Sequence, residues 1–125
     1  HNIASLTYTS LEQGLLTGKV TLDRQFDHDD FRRDIGQWMP WFKPQNLARL
    51  LSTFTGWQEL LEHYQCSIAQ LVIAWTANGS RASHVLCGGR SAQQVLENAG
   101  GGDIALSDAD VARITTDLDK LGAPN

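Results

Sequence analysis

The chain has 125 residues, 42% of them hydrophobic and 19% charged, a balance that excludes disorder and suits one folded domain with its own core. Fourteen Asp plus Glu against ten Lys plus Arg leave a net charge of −4. No general attraction for nucleic acid or for an anionic membrane surface follows from that charge, so any anion site has to be local.

No apolar run reaches the ~20 residues of a membrane span, and no signal-peptide pattern is visible. Two cysteines, Cys66 and Cys87, lie in different elements and match no metal-ligand spacing, which points to a reduced, cytoplasmic protein. The chain opens His1-Asn2-Ile3 without an initiator Met and moves almost directly into a strand pattern. A fragment of a larger fold is the expectation.

Residues 3–8, with Leu6, Thr7 and Tyr8, favour an extended strand. Ser10 to Gly18 is punctuated by Gly14 and Gly18 and reads as a loop with one helical turn. Residues 19–44 form a long irregular connection carrying Asp27-His-Asp-Asp30, Phe31-Arg-Arg33 and the aromatics Trp38, Trp41 and Phe42. Such a length of loop inside a compact domain usually has a function. The Asp27–Asp30 cluster fits a solvated turn better than a metal site, since it lacks a second ligand group. The aromatics fit packing onto the domain, or alternatively the wall of a pocket.

Pro44 suits the first turn of a helix, and Leu47, Leu50, Leu51, Phe54, Trp57, Leu60, Leu61 and Tyr64 continue it on one apolar face, with Gly56 a weak point. Ser67-Ile-Ala-Gln70 is a capping box that opens a helix through Leu71, Val72 and Trp75 to about Gly79. A strand at Val85-Leu86-Cys87 follows. Ser91-Ala-Gln-Gln94 opens a helix to about Asn98, and Gly100-Gly-Gly102 breaks the chain. Ser107 starts a last helix with Val111, Ile114, Leu118 and Leu121 inward and Gly122 at its end. Two short strands and four helices, each strand followed by helix, give an α/β fold with parallel strands and helical crossovers. Two parallel strands alone leave open edges, a second reason to expect a fragment.

Chemistry concentrates in His84–Asn98. Glycines let backbone approach a ligand, the N–H groups of a helix start attract anions, and Arg90 adds a planar cationic fork suited to phosphate. Alone, that order fits an ordinary strand-to-helix turn better than a phosphate grip.

Two motifs together change the balance. Tyr8-Thr-Ser-Leu-Glu-Gln-Gly-Leu-Leu-Thr-Gly-Lys19 and Leu86-Cys-Gly-Gly-Arg-Ser-Ala-Gln-Gln-Val-Leu-Glu-Asn98 resemble the segments after the seventh and eighth barrel strands of the aldo-keto reductases. Between them, Phe26-x-x-Asp-Asp30-x-Arg32 and Pro40-x-Phe42 look like the insertion of the bacterial general stress protein-like branch. The resemblance covers essentially the whole chain in the right order.

It implies a (β/α)8 TIM barrel, a fold of about 250 residues, of which residues 1–125 would be the C-terminal quarter: the last two βα units and the C-terminal helix. It also implies NADP(H) as cofactor and a small carbonyl compound as substrate. By position, Tyr8 would stack on the nicotinamide, and Thr9, Leu11, Gln13 and Gly14 would line the pyrophosphate. Gly88 would let backbone approach the adenosine phosphate, Arg90 with Gln94 would grip the 2′-phosphate, and Glu97 and Asn98 would contact adenine. Ser10 and Cys87 stand where the family pattern has Pro, which loosens both turns.

The family's catalytic Asp, Tyr, Lys and His come from earlier strands, so no catalytic residue is expected here. Tyr64, His63 and His84 match none of them. A partner is therefore implied: the preceding part of the barrel. The alternatives are a non-catalytic truncated module, binding nucleotide or pairing its strand edges with another chain, and a self-contained α/β domain of different topology.

Overall fold

In a computed structural model the structure describes residues 4–79 and 84–125. Strand β1 (Leu6–Thr7) and strand β2 (His84–Val85) pair in parallel, with Leu6 opposite His84 and Thr7 opposite Val85. The His84 amide donates to Ser5 O at 3.0 Å and the Leu86 amide to Thr7 O at 2.9 Å. The Thr7 hydroxyl adds a bond to His84 O at 3.2 Å.

Both strands are shorter than the sequence pattern suggests. Residue 3 lies outside the described residues, Tyr8 leaves the ladder, and β2 begins at His84 and ends before Leu86 and Cys87. The glycines at 88 and 89 follow at once, and the chain turns away before a longer ladder forms.

Helix α1 (Pro44–Thr55) begins with Pro at its first turn, where the missing N–H is no loss. It buries Leu47, Leu50 and Phe54, and helix α2 (Gln58–Tyr64) buries Leu60. Sequence spacing predicts one helix over this stretch, but it divides at Gly56-Trp57. There the Trp57 amide bonds the Phe54 carbonyl at 3.0 Å in a tighter turn. The break drives the Trp57 ring into the core at 1% exposure, while its Nε1–H donates to Asp117 Oδ2 at 3.0 Å. The apolar stripe is thus correct in its residues and wrong in its continuity.

Helix α3 (Ile68–Gly79) opens on the predicted capping box, with Ser67 N donating to Gln70 Oε1 at 3.0 Å and Gln70 N to Ser67 Oγ at 3.3 Å. Its Leu71 is fully buried. Helix α5 (Asp108–Leu121) is capped by Ser107 and contributes Ile114 to the same core. Tyr64 is tied to its start: the hydroxyl donates to Asp110 Oδ2 at 2.6 Å and accepts from Ser107 N at 3.0 Å.

Helix α4 (Ala92–Gly101) corrects the expectation that residues 100–102 break the chain after Asn98. Gly100 and Gly101 are helical because α3 lies against them. A Cβ on Gly101 would sit 2.9 Å from Ile73 Cβ and 3.0 Å from Gln70 O, and one on Gly100 would sit 2.6 Å from Gln70 Nε2. Gly101, facing a backbone carbonyl and a Cβ, sets the distance between the two helices, whereas at Gly100 only the end of the Gln70 side chain would have to move. The described residues therefore hold five α-helices where the sequence predicts four.

Residues 19–44 carry two 3-10 segments, Phe31–Gln37 and Pro40–Phe42. Val20 and Ile35 are buried, and Trp41 and Phe42 pack on the core, while Trp38 stays 63% exposed. The C-terminus closes on the same region. Asn46, fully buried, donates to Pro40 O at 2.9 Å and Asn125 O at 3.0 Å, and Arg49 donates to the Leu121 and Ala123 carbonyls.

Outside the core, Leu6, Tyr8, Leu86, Val95 and Leu96 form exposed apolar positions on the strands, their ends and α4. Among the described residues no helix is long and apolar enough to cross a membrane.

Replacing Gly101 by Ala improves intrinsic helix propensity but forces a methyl group against Ile73 and a backbone carbonyl. The clash outweighs the propensity gain, and Gly101→Ala is expected to lower stability by about 1–3 kcal/mol in urea denaturation. An unchanged or higher midpoint would show that the two helices separate without loss.

Candidate functional site: a cavity between the two strand ends

Because the strands are parallel, the segments that leave them emerge side by side. After β1 the backbone takes left-handed conformations at Thr9 (φ 53°), Glu12 (φ 45°), Gln13 (φ 56°) and Gly14 (φ 91°). Three of these are not glycine, and each such residue costs on the order of 1–3 kcal/mol and persists only where its surroundings enforce it. The enforcement is visible. The Glu12 amide donates to Thr9 O at 2.7 Å, the Gly14 amide to Leu11 O at 2.9 Å, and Leu15 anchors the curl in the core at 1% exposure.

The 19–44 connection is fastened to that curl through Arg32. Its Nη1 donates to Gln13 O at 3.1 Å, and its guanidinium lies 4.6 Å from the centre of the Phe26 ring. Asp30 holds it from behind: Arg32 Nε reaches Asp30 Oδ1 at 2.9 Å and Nη2 reaches Oδ2 at 2.6 Å. Asp30 Oδ1 also accepts the Arg32 backbone N–H at 3.0 Å. Hydrogen bonds from the Arg32 side chain, and then from its amide, hold the Asp30 carboxyl well below the usual carboxylate range. Asp30 is thus a capping, ion-paired residue with a side chain only 12% exposed, which corrects its reading as part of a solvated turn.

The opposite wall follows β2. Ser91 caps α4 by accepting the Gln94 amide at 3.3 Å, and Gln94 Oε1 accepts the Arg90 amide at 2.7 Å. Asn98 Nδ2 donates to Gly88 O at 3.1 Å. A Cβ on Gly89 would meet Val95 Cγ2 at 2.8 Å, so a larger residue there would displace the Val95 side chain. The turn before α4 is therefore held by the helix it precedes. Two ion pairs join the walls: Lys19 Nζ donates to Glu97 Oε2 at 2.8 Å, and Arg90 Nη1 lies 3.8 Å from Asp30 Oδ2. The Lys19 bond, with a further one from Ser67, lowers the Glu97 pKa. Exposed pairs of this kind contribute little individually.

Between the walls lies a cavity of about 730 Å3, a size suited to a small-molecule or cofactor site. Thr9, Leu11, Gln13, Gly14, Gly88, Arg90, Gln94, Glu97 and Asn98 all line it. Tyr8, 78% exposed at the end of β1, does not. Arg24, Phe31 and Arg32 line it as well, although sequence reasoning assigned them no contact. The signal for Arg32 was present in the Asp30-x-Arg32 spacing, where a capping carboxylate aims the side chain two residues on. The side chain of Arg90 is 71% exposed, leaving its guanidinium open at the rim. Cys87 is free and half-buried outside the cavity lining, and burial pushes its thiol pKa up, as it does for Cys66.

A fold that places two strand ends at one cavity, with a Gly-Gly-Arg turn before a helix, defines the class to which the comparisons assign the chain. Residues 1–118 match the profile of the aldo/keto reductase family, and the chain belongs to that family. It is 36% identical over 110 residues to the NADH-specific methylglyoxal reductase of Escherichia coli (strain K12), covering 88% of this chain and 32% of that protein. Over 112 residues it is 27% identical to aldo-keto reductase str7 of Strobilurus tenacellus, covering 90% of this chain and 32% of the relative. The solved structure of glycerol dehydrogenase AKR11B4 from Gluconobacter oxydans superposes with a TM-score of 0.79 at 27% identity, covering 100% of this chain and 36% of that one. The chain spans about a third of the length of the relatives it matches.

Folding lowers the pKa of Asp30 below its ordinary 3.8 and that of Glu97 below its ordinary 4.5. Each contributes stability that is complete above the ordinary value and is lost as pH falls through the lower folded value. Hydrogen exchange in residues 19–32, corrected for its intrinsic pH dependence, is expected to stay flat from about pH 7 to 5 and to rise at more acid pH. A rise already between about pH 7 and 5 would place the control in other groups.

Proposed function

We propose that this chain is the cofactor-gripping part of an NADPH-dependent reductase of aldehydes and ketones. In this reading residues 1–125 are the C-terminal part of a single (β/α)8 barrel, the last two βα units and the final helix. The observation that carries it is the cavity. Residues 9–14 and 88–98, far apart in sequence, line one concavity that ends in an open guanidinium.

The donor set fits a dinucleotide. The Arg32 guanidinium, fastened to the curl at Gln13 and lining the cavity, suits a pyrophosphate. Arg90 suits a 2′-phosphate, which needs a cation where a free 2′-hydroxyl does not. The bonds already made by Gln94 and Asn98 hold the turn, so both residues serve the site through Arg90 and Gly88 as much as by direct contact. Tyr8, just beyond the cavity, has an exposed ring available for the nicotinamide.

When bound, the nicotinamide would supply the hydride for reduction of a substrate carbonyl. The residues of this chain bind and orient; the Tyr acid that protonates the oxygen, with its Lys, Asp and His neighbours, belongs to earlier strands. The exposed apolar positions Leu6, Tyr8, Leu86, Val95 and Leu96 support docking of those preceding βα units, which are this chain's partner. The relative from Escherichia coli is named for NADH, so preference for the 2′-phosphate rests on Arg90.

In the intact reductase Arg90→Ala is expected to weaken NADPH by roughly 1–3 kcal/mol and NADH much less, as read by fluorescence titration of the reduced nicotinamide. Equal loss for both cofactors would refute the 2′-phosphate role.

A further inference from the structure

The 19–44 connection places a carboxylate behind the cation that meets the 2′ position. Asp30 Oδ2 lies 3.8 Å from Arg90 Nη1 while the same carboxylate is fixed by both Arg32 side-chain bonds. It cannot swing away when a ligand arrives, because the Arg32 amide and guanidinium hold both of its oxygens. Its lowered pKa keeps it anionic at neutral pH.

We infer that Asp30 is a specificity-determining positioning residue, which offsets the charge of Arg90 and so lets NADH compete with NADPH for the cavity. The inference rests on the dinucleotide reading above and deepens it. Asp30 is absent from the cavity lining, so it acts through Arg90 rather than on the cofactor. A 2′-phosphate drawn to Arg90 also meets the field of this fixed carboxylate a few ångströms beyond. A 2′-hydroxyl carries no charge and is indifferent to it. The pyrophosphate, common to both cofactors, feels that field alike, so the difference between them arises at the 2′ end, and it grows when the bound cofactor displaces water from the exposed guanidinium. Preference at the 2′ end is then divided between two segments: the turn before α4 supplies attraction, and the 19–44 connection supplies the counterweight.

The test is a titration of NADPH and NADH, by nicotinamide fluorescence, on the intact reductase and its variants. Asp30→Asn and Asp30→Ser both remove the charge and keep an acceptor for the Arg32 amide, so a folding defect in one leaves the other to decide. Each is expected to shift the ratio of Kd values toward NADPH by about tenfold. Asp30→Glu retains the original ratio, and in an Arg90→Ala background the two neutral substitutions no longer move it. An unchanged ratio in both neutral variants overturns the inference, as does a parallel change in both Kd values, the signature of a merely structural role. If the unmodified reductase binds neither dinucleotide, the functional reading fails and the inference with it.

Discussion

Everything at the candidate site depends on one pairing: Leu6–Thr7 beside His84–Val85, parallel and in register. Antiparallel pairing of the same residues would send the curl at 9–14 and the turn at 88–90 to opposite ends of the sheet. Parallel pairing releases both at the same end, where the Leu86 amide still bonds Thr7 O and fixes their separation. A two-residue ladder is weak in itself. It holds because α3 occupies the crossover between the strands and α4 returns against it, with Gly101 permitting the close approach.

The second layer of control is electrostatic. Lys19, Arg32 and Arg90 arrive from three places in the chain, and each is held by a carboxylate, Glu97 or Asp30. The cavity is therefore cationic without being a bare concentration of positive charge, which fits an acidic chain with a local anion site. Arg32 is the most constrained of the three and Arg90 the most exposed, which suits one to shaping the curl and the other to meeting a ligand.

Much of this was legible in the sequence, for identifiable reasons. The capping boxes at Ser67 and Ser91 state where helices begin, and the structure starts α3 and α4 one residue later. The apolar stripe from Leu47 to Tyr64 named the core correctly, because burial follows periodicity. It missed the break at Gly56-Trp57, because the place it gives the Trp57 ring, buried and bonded to Asp117, involves a residue sixty positions away in the sequence. Gly100-Gly-Gly102 read as ending the helix too early: Gly102 does cap α4, but local propensity carries no information about the helix packed against Gly101. The site followed the same division. Arg90 stands in a local motif and could be found there, whereas the pairing of Asp30 with Arg90 joins residues that only the fold brings together.

The central claim is that the curl after β1 and the turn after β2 form the two walls of a single nucleotide site. Hydrogen exchange on the intact reductase, with and without NADPH, tests it most directly. The account predicts that amides in 9–14 and in 88–98 gain protection together as cofactor is added, over the same concentration range. Protection confined to one wall, or to neither while the cofactor binds elsewhere, would contradict it.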